Sequence, residues 1–412
     1  MKLLKNICAF SVCALIALTS SLFSTLAANV DPFSANGKIL SVSHGGNRDD
    51  YPAFSLEAID SAFALGADFV SVNIAKTADG TFVVCESENL SEIAAENIEG
   101  KVSDCDISLI STLHLKDSQC SIPTLEKAIE CAKDFGKILI IDFDWEEHQR
   151  VYDFFIEQNA LDNTILRVRQ PRKEIKKFIS LTNSKCSVLP AYHGNILFNA
   201  RGYITSLSSI GCQIISLGTK NSFGVVFHQS VISAFSKNNH NSRAMISTVD
   251  PDECGQRPDN AFSWDDLIDR GYSVIETDCI KDLVKYISNV QDSRQEVLSL
   301  INKADSTDIS NLSAKSKTEI ADARNAANKA VSTLSSYKSI TESKSMLNRA
   351  LSSLTYDHSG SVSKEGVFSL TFGKVLAIIL VTGALIIVQL FFYFRRADKK
   401  LPSKFRDIFN KK

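Results

Sequence analysis

From Lys38 to about Val290 the chain repeats one pattern, a short apolar run followed by an amphipathic one. The runs KILSVS (38–43), DFVSVNI (68–74), KILIIDF (137–143), TILRVR (164–169), CSVLPA (186–191), CQIISL (212–217), RAMIST (243–248) and YSVIET (272–277) predict strands. Helical stretches follow them, such as PAFSLEAIDSAFALG after the first and EEHQRVYDFFIEQN after the third. Strand–helix alternation demands parallel βαβ units, and about eight units predict an α/β fold closed as a (β/α)8 TIM barrel. An open doubly wound sheet is the competing architecture, but no Gly-rich dinucleotide fingerprint follows the first strand. The segment 79–90, DGTFVVCESENL, predicts an extra hairpin after the second strand.

The ends carry address information. Residues 1–28 read as a signal peptide: Lys2 and Lys5, an apolar run, then small residues with Thr25 and Ala27 suitably spaced for cleavage. Cys13 does not end the apolar run, so a lipoprotein anchor is not expected. The stretch VLAIILVTGALIIVQLFFYF (375–394) is uncharged and about long enough to span a bilayer. RRADKKLPSKFRDIFNKK follows, and a basic flank marks the cytoplasmic side. The expected order is a signal peptide (1–28), the barrel (38–290), a helical stalk (291–355), a linker (356–369), a transmembrane helix (370–394) and a basic cytoplasmic tail (395–412). The stalk rests on helical periodicity in QEVLSLINKA, KSKTEIADARNAANKAVSTLSS and TESKSMLNRALSSL, in a region without Pro or Gly. This makes a single-pass protein of the cell membrane with its N-terminal domain outside the cytoplasm.

With 44% hydrophobic and 22% charged residues a large core is available, and a net charge of -2 argues against a nucleic-acid partner. Of the ten cysteines, Cys8 and Cys13 fall in the signal segment, and no Cys-x-x-Cys occurs. An exported chain permits disulfides, and Cys105 with Cys120 is a conceivable pair. Cys85, Cys186 and Cys212 lie in strand-like runs, where buried free thiols are expected.

In a parallel barrel the reactive groups stand at the C-terminal strand ends. Those ends present His44, then Ser71 and Asn73, then Asp142 and Asp144, later Asp250, and finally Asp278. In HGNILFNARG (193–202), His193 and Asn195 read as turn and capping residues.

The stretch from Ser43 to Leu90 resembles the amino-terminal signature of glycerophosphodiester phosphodiesterases: His-Arg-Gly, Pro-Glu-Asn-Thr, Gly-Ala-Asp, Glu-x-Asp, Thr-x-Asp-Gly and His-Asp. IPTLEKAIECAKDFGKILIID (122–142) and LIDRGYSVIETD (267–278) match later motifs, so the resemblance covers roughly residues 38–290. It implies the barrel of the phospholipase-C-like phosphodiesterases. It also implies hydrolysis of glycerophosphodiesters to glycerol 3-phosphate and an alcohol, with Ca2+ or Mg2+ held by carboxylates and histidines moving protons.

Carried across by position, the resemblance makes His44 the first histidine, a catalytic candidate, but puts Gly45 where a phosphate-binding Arg is expected. Ala53 and Phe54 replace Glu-Asn, Ser71 and Asn73 replace two metal carboxylates, and Glu86-Ser87 replaces His-Asp. Glu86 is the second catalytic candidate. Asp142 stands for a metal-binding Glu, and Asp144 replaces a phosphate-contacting Lys. Thr77, Asp79, Gly80, Pro123, Thr124, Thr277 and Asp278 match and shape turns and strand ends. Neutral ligands lower affinity for hard cations. A Lys-to-Asp change near a phosphate is on the order of several kcal/mol at 4 Å and an effective dielectric near 20.

Three expectations about function follow. The first is a membrane-anchored, catalytically degenerate phosphodiesterase-like domain, without a metal cofactor, binding a glycerophosphodiester or cell-envelope ligand as a scaffold. The second is an active phosphoric diester hydrolase of lipid metabolism that holds Ca2+ or Mg2+ with a rebuilt cluster drawn from Asp49, Asp50, Glu57, Glu86, Asp142 and Asp144. The third is a structural surface protein whose stalk captures a protein partner.

Overall fold

The computed structural model describes residues 39–193, 200–237 and 242–356. Its strands are β1 (Leu40–His44), β2 (Phe69–Lys76), β3 (Phe82–Val84), β4 (Ile138–Asp142), β5 (Thr164–Val168), β6 (Ser187–His193), β7 (Ile214–Gly218), β8 (Arg243–Ser247) and β9 (Val274–Thr277). All but β3 are parallel, and pairing β1–β9 at one seam and β1–β2 at the other closes the barrel. The eight expected strands are therefore all present and the open sheet is excluded. β3 pairs antiparallel with β2, Ile74 opposite Val84, which is the expected extra hairpin.

Side-chain alternation divides each strand between two cores. Leu40, Val42, Phe69, Ile140, Ile165, Leu189, Ile214, Met245 and Val274 point inward and fill the lower barrel. Their neighbours on the opposite face pack beneath the surrounding helices. Those helices are α1 (Leu56–Leu65), α2 (Leu125–Asp134), α3 (His148–Glu157), α4 (Arg172–Leu181), α5 (Ala200–Ser208), α6 (Gln229–Lys237), α7 (Ala261–Arg270) and α8 (Ile280–Asp305). Local chemistry sets their ends: Ser55 caps α1 through the Ala58 amide, Thr124 caps α2 through Lys127, and Asn260 caps α7.

The sequence boundary expected at 290/291 falls inside α8, which begins as the last barrel helix and continues to Asp305. With α9 (Ala314–Ser332) and α10 (Tyr337–Ser352) it forms a three-helix layer sharing the large core with the barrel. Asp269 on α7 accepts bonds from the Ser336 amide and from the Ser336 and Ser339 hydroxyls, at 3.0, 2.9 and 2.8 Å. Asp265 accepts from the Tyr286 hydroxyl at 2.8 Å and the Lys338 amide at 3.1 Å. The helices at 291–355 are thus fastened to the barrel wall by buried apolar area and carboxylate-held caps.

This compact unit ends at Tyr356. The expected signal peptide, linker, transmembrane helix and tail lie outside the described residues, within which no helix is long and apolar enough to cross a membrane. All eight cysteines of the described residues are free, so Cys105 and Cys120 are not joined.

Candidate functional site at the barrel mouth

Strand register brings the site together. His44 on β1 lies beside Ser71 on β2, and one level around the barrel runs Asn73, Asp142, Arg167 and Leu189. Glu276 on β9 stands beside Ser247 on β8. Of these, His44, Asn73, Asp142, Arg167, Ser247 and Glu276 line a cavity of about 580 Å3 at the C-terminal strand ends.

Two guanidiniums organise its charges. Arg167, buried in the barrel, places Nη2 2.5 Å from Glu276 Oε1 and Nη1 3.2 Å from Asp142 Oδ2. Arg169 on the rim reaches Asp142 Oδ1 at 2.7 Å. The Ser71 hydroxyl donates to Glu276 Oε1 at 2.6 Å. Burial alone would raise the fully enclosed Glu276 carboxyl, but the Arg167 and His44 charges and the bonds from Arg167 and Ser71 outweigh it and hold it down at about 2.

A second group surrounds His44. Its Nδ1 lies 3.1 Å from Asp278 Oδ1, and Arg48 Nη1 donates to the same oxygen at 2.8 Å. Arg48 Nη2 is 3.6 Å from Glu86, whose half-exposed carboxylate forms the outer wall. Burial lowers the His44 pKa, but the Asp278 bond and the charges of Glu276 and Asp278 reverse this and leave it raised. A histidine oriented by a carboxylate is equipped to move protons.

Glycine at position 45 fits a local constraint. Gly45 has φ +67, and a Cβ there would lie 2.8 Å from the Phe54 ring. That ring, fully buried, packs edge-on against His44 with centroids 5.3 Å apart. Gly45 and Phe54 therefore fit together sterically: an apolar ring occupies the space beside His44. A guanidinium still reaches His44, but from position 48, and it is held by two carboxylates.

Of the sequence candidates, His44, Asn73, Glu86, Asp142, Asp144 and Asp250 line one cavity, with Ser71 beneath it. Asp144 also caps the turn at Trp145 by accepting the Glu146 amide. Asp49, Asp50 and Glu57 are not among the lining residues. Asp50 is held by Asn47 and Lys281, while Asp49 and Glu57 are exposed. Ala53 packs against the core. Asn195 and the side chain of His193 lie outside the described residues. Arg48, Arg167, Arg169 and Glu276, which carry most of the electrostatics, were not among the sequence candidates. The signal was parity: Arg167 and Arg169 share the inward phase of β5, and Glu276 shares that of Asp278.

The divalent cation implied by the resemblance does not fit this donor set. Asp142 is divided between two arginines, the Ser71 hydroxyl proton is committed to Glu276, and Asn73 points its amide nitrogen at the Glu86 carbonyl at 3.4 Å. Among the described residues no group of three or more His, Cys, Asp or Glu is placed to hold a metal ion. A phosphodiester meets a mixed field, because seven carboxylates among the described residues line the cavity against Arg167, Arg169 and His44.

Residues 44–187 match the model of the Glycerophosphoryl diester phosphodiesterase family. Among solved structures the chain is similar to a glycerophosphoryl diester phosphodiesterase from Parabacteroides distasonis ATCC 8503, at 22% identity and a TM-score of 0.52, covering 63% of this chain and 90% of that one. A glycerophosphodiester phosphodiesterase from Agrobacterium tumefaciens str. C58 has 17% identity and a TM-score of 0.47, covering 60% and 99%. An Oleispira antarctica phosphodiesterase, solved with the product sn-glycerol-3-phosphate, has 13% identity and a TM-score of 0.47, covering 61% and 97%. No curated protein matches the chain. At such identities the structural likeness is one of fold, while the family match rests on the sequence of the first half of the barrel. The sequence similarity to the Glycerophosphoryl diester phosphodiesterase family is confined to residues 44–187.

Proposed function

We propose that the barrel is a membrane-anchored, extracytoplasmic phosphodiesterase-like module that binds its ligand without hydrolysing it. The observation that carries this reading is the closed charge network of the mouth, in which Arg167 and Arg169 take up Asp142 and Glu276. Hydrolysis in the resembled family calls for a hard cation on free oxygens. The cavity persists at about 580 Å3, room enough for a small polar ligand such as a glycerophosphodiester or a cell-envelope fragment. The support for anchoring is the apolar stretch 375–394 and its basic flank in the sequence.

The test is release of glycerol 3-phosphate from glycerophosphocholine and glycerophosphoethanolamine by the full-length chain, with Ca2+, Mg2+ or Mn2+ supplied. The expected rate equals the background. Cation-dependent release abolished by His44→Ala overturns the reading. It would favour an active hydrolase, the alternative supported by His44, Glu86, Asp142 and Asp144 sharing one cavity.

A further inference from the structure

We infer that Arg167 is a built-in cation, standing electrostatically where a divalent ion would serve Asp142 and Glu276, and that its presence is what keeps such ions out of the barrel mouth. The inference rests on the non-hydrolytic reading of the mouth and gives it a mechanism.

Asp142 and Glu276 belong to β4 and β9, strands separated in the barrel by β2 and β1. One guanidinium from β5 touches both, with only 7% of its side chain exposed. Two carboxylates converging from separate strands on a single buried positive charge is the arrangement a bound cation would otherwise create. The guanidinium achieves it with Nη1 and Nη2 alone, and the buried Nε finds no partner among the described residues. Its position follows the two carboxylates rather than full hydrogen-bond satisfaction. Arginine stays charged throughout the accessible pH range, so the exclusion is permanent rather than titratable. Take the guanidinium away and what remains is two carboxylates, the Ser71 hydroxyl and the Asn73 amide. These are oxygen donors of the kind hard cations select.

The full-length chain and its Arg167→Met variant are compared by thermal unfolding with and without about 10 mM Ca2+, Mg2+ or Mn2+, a range that covers weak oxygen-ligand sites. The wild type is expected to melt at the same temperature in every condition. Arg167→Met is expected to be less stable without cation and to recover with it, with half the effect at about 1 mM or below. A variant that folds only when cation is added meets the same expectation. The double variant Arg167→Met/Glu276→Gln, which removes the ion pair as a whole, should fold and lose the response. The inference is overturned if Arg167→Met shows no cation response, folded or not. It also falls if the wild type is itself stabilised by a divalent ion and Asp142→Asn removes the effect. Hydrolysis by the wild type would remove the non-hydrolytic reading whatever the melting curves show, so the two failures are separable.

Discussion

Glu276→Gln tests how much of the fold depends on the internal ion pair. The carboxylate is 1% exposed, contacts Arg167 at 2.5 Å and accepts from Ser71 at 2.6 Å. A carboxyl held at about 2 rather than 4.5 corresponds to about 3 kcal/mol of differential stabilisation at neutral pH. Mutational experience with broken buried pairs gives about 3–5 kcal/mol by an independent route. Because Asp142 still partners Arg167 at 3.2 Å, the lower figure applies. The folded-state pKa lies below the unfolded one, so the contribution is complete above about pH 4.5 and vanishes as pH falls towards 2. Urea titrations at pH 7 should show the midpoint of Glu276→Gln lowered by about 3 kcal/mol divided by the m-value, with the m-value unchanged. Repeated at progressively lower pH, the gap between variant and wild type should shrink. A loss below about 1 kcal/mol at pH 7, the range of an exposed pair, would refute the account of Glu276 as a buried, charge-compensated group. So would a gap that does not change with pH.

Gly45→Arg, which restores the resembled motif, should destabilise by at least about 1–3 kcal/mol, since a non-glycine residue at φ +67 is strained and its Cβ meets Phe54; thermal unfolding reads the loss, and glycerol 3-phosphate release should stay at background. Asp269→Ala removes the acceptor for the Ser336 amide and two hydroxyls, so it should cost about 1–2 kcal/mol and speed hydrogen exchange in α10 more than in the barrel strands.

Barrel and hairpin were legible because runs such as DFVSVNI and KILIIDF carry their alternation and their turn residues locally. His44, Asp142 and Asp278 were legible for the same reason: a strand-end position in a parallel barrel is a mouth position. The arginines of TILRVR were harder to place. Residues of that type are rarely buried; strand parity gives Arg167 the inward phase, and the register Asp142–Arg167 shows what it meets there. Arg48 comes from a loop without periodicity, and its role depends on Asp278, 230 residues away. The helical character of 291–355 could be read, but its attachment could not. Asp265 and Asp269 face Tyr286, Ser336 and Lys338 only after the chain has folded back.

On the proposed reading, the neutral residues and the arginines of the mouth belong to one electrostatic arrangement. A site that borrows an exogenous divalent ion needs an excess of carboxylate, and without the ion those carboxylates repel one another in a poorly solvated space. Ser71 and Asn73 add no negative charge to the floor, although Glu86, Glu88, Asp144, Asp250 and Glu253 also line the cavity. The two carboxylates that remain on the floor, Asp142 and Glu276, are met by two guanidiniums, Arg167 and Arg169, so this part of the mouth is neutral from its own side chains. On the proposed reading, such a barrel does not tie its stability to metal supply, while its strands, turns and cavity stay as the fold requires. On the proposed reading, Ser71→Glu or Asn73→Asp should not by itself give cation-dependent release of glycerol 3-phosphate, because the added carboxylate would join the two that Arg167 already serves.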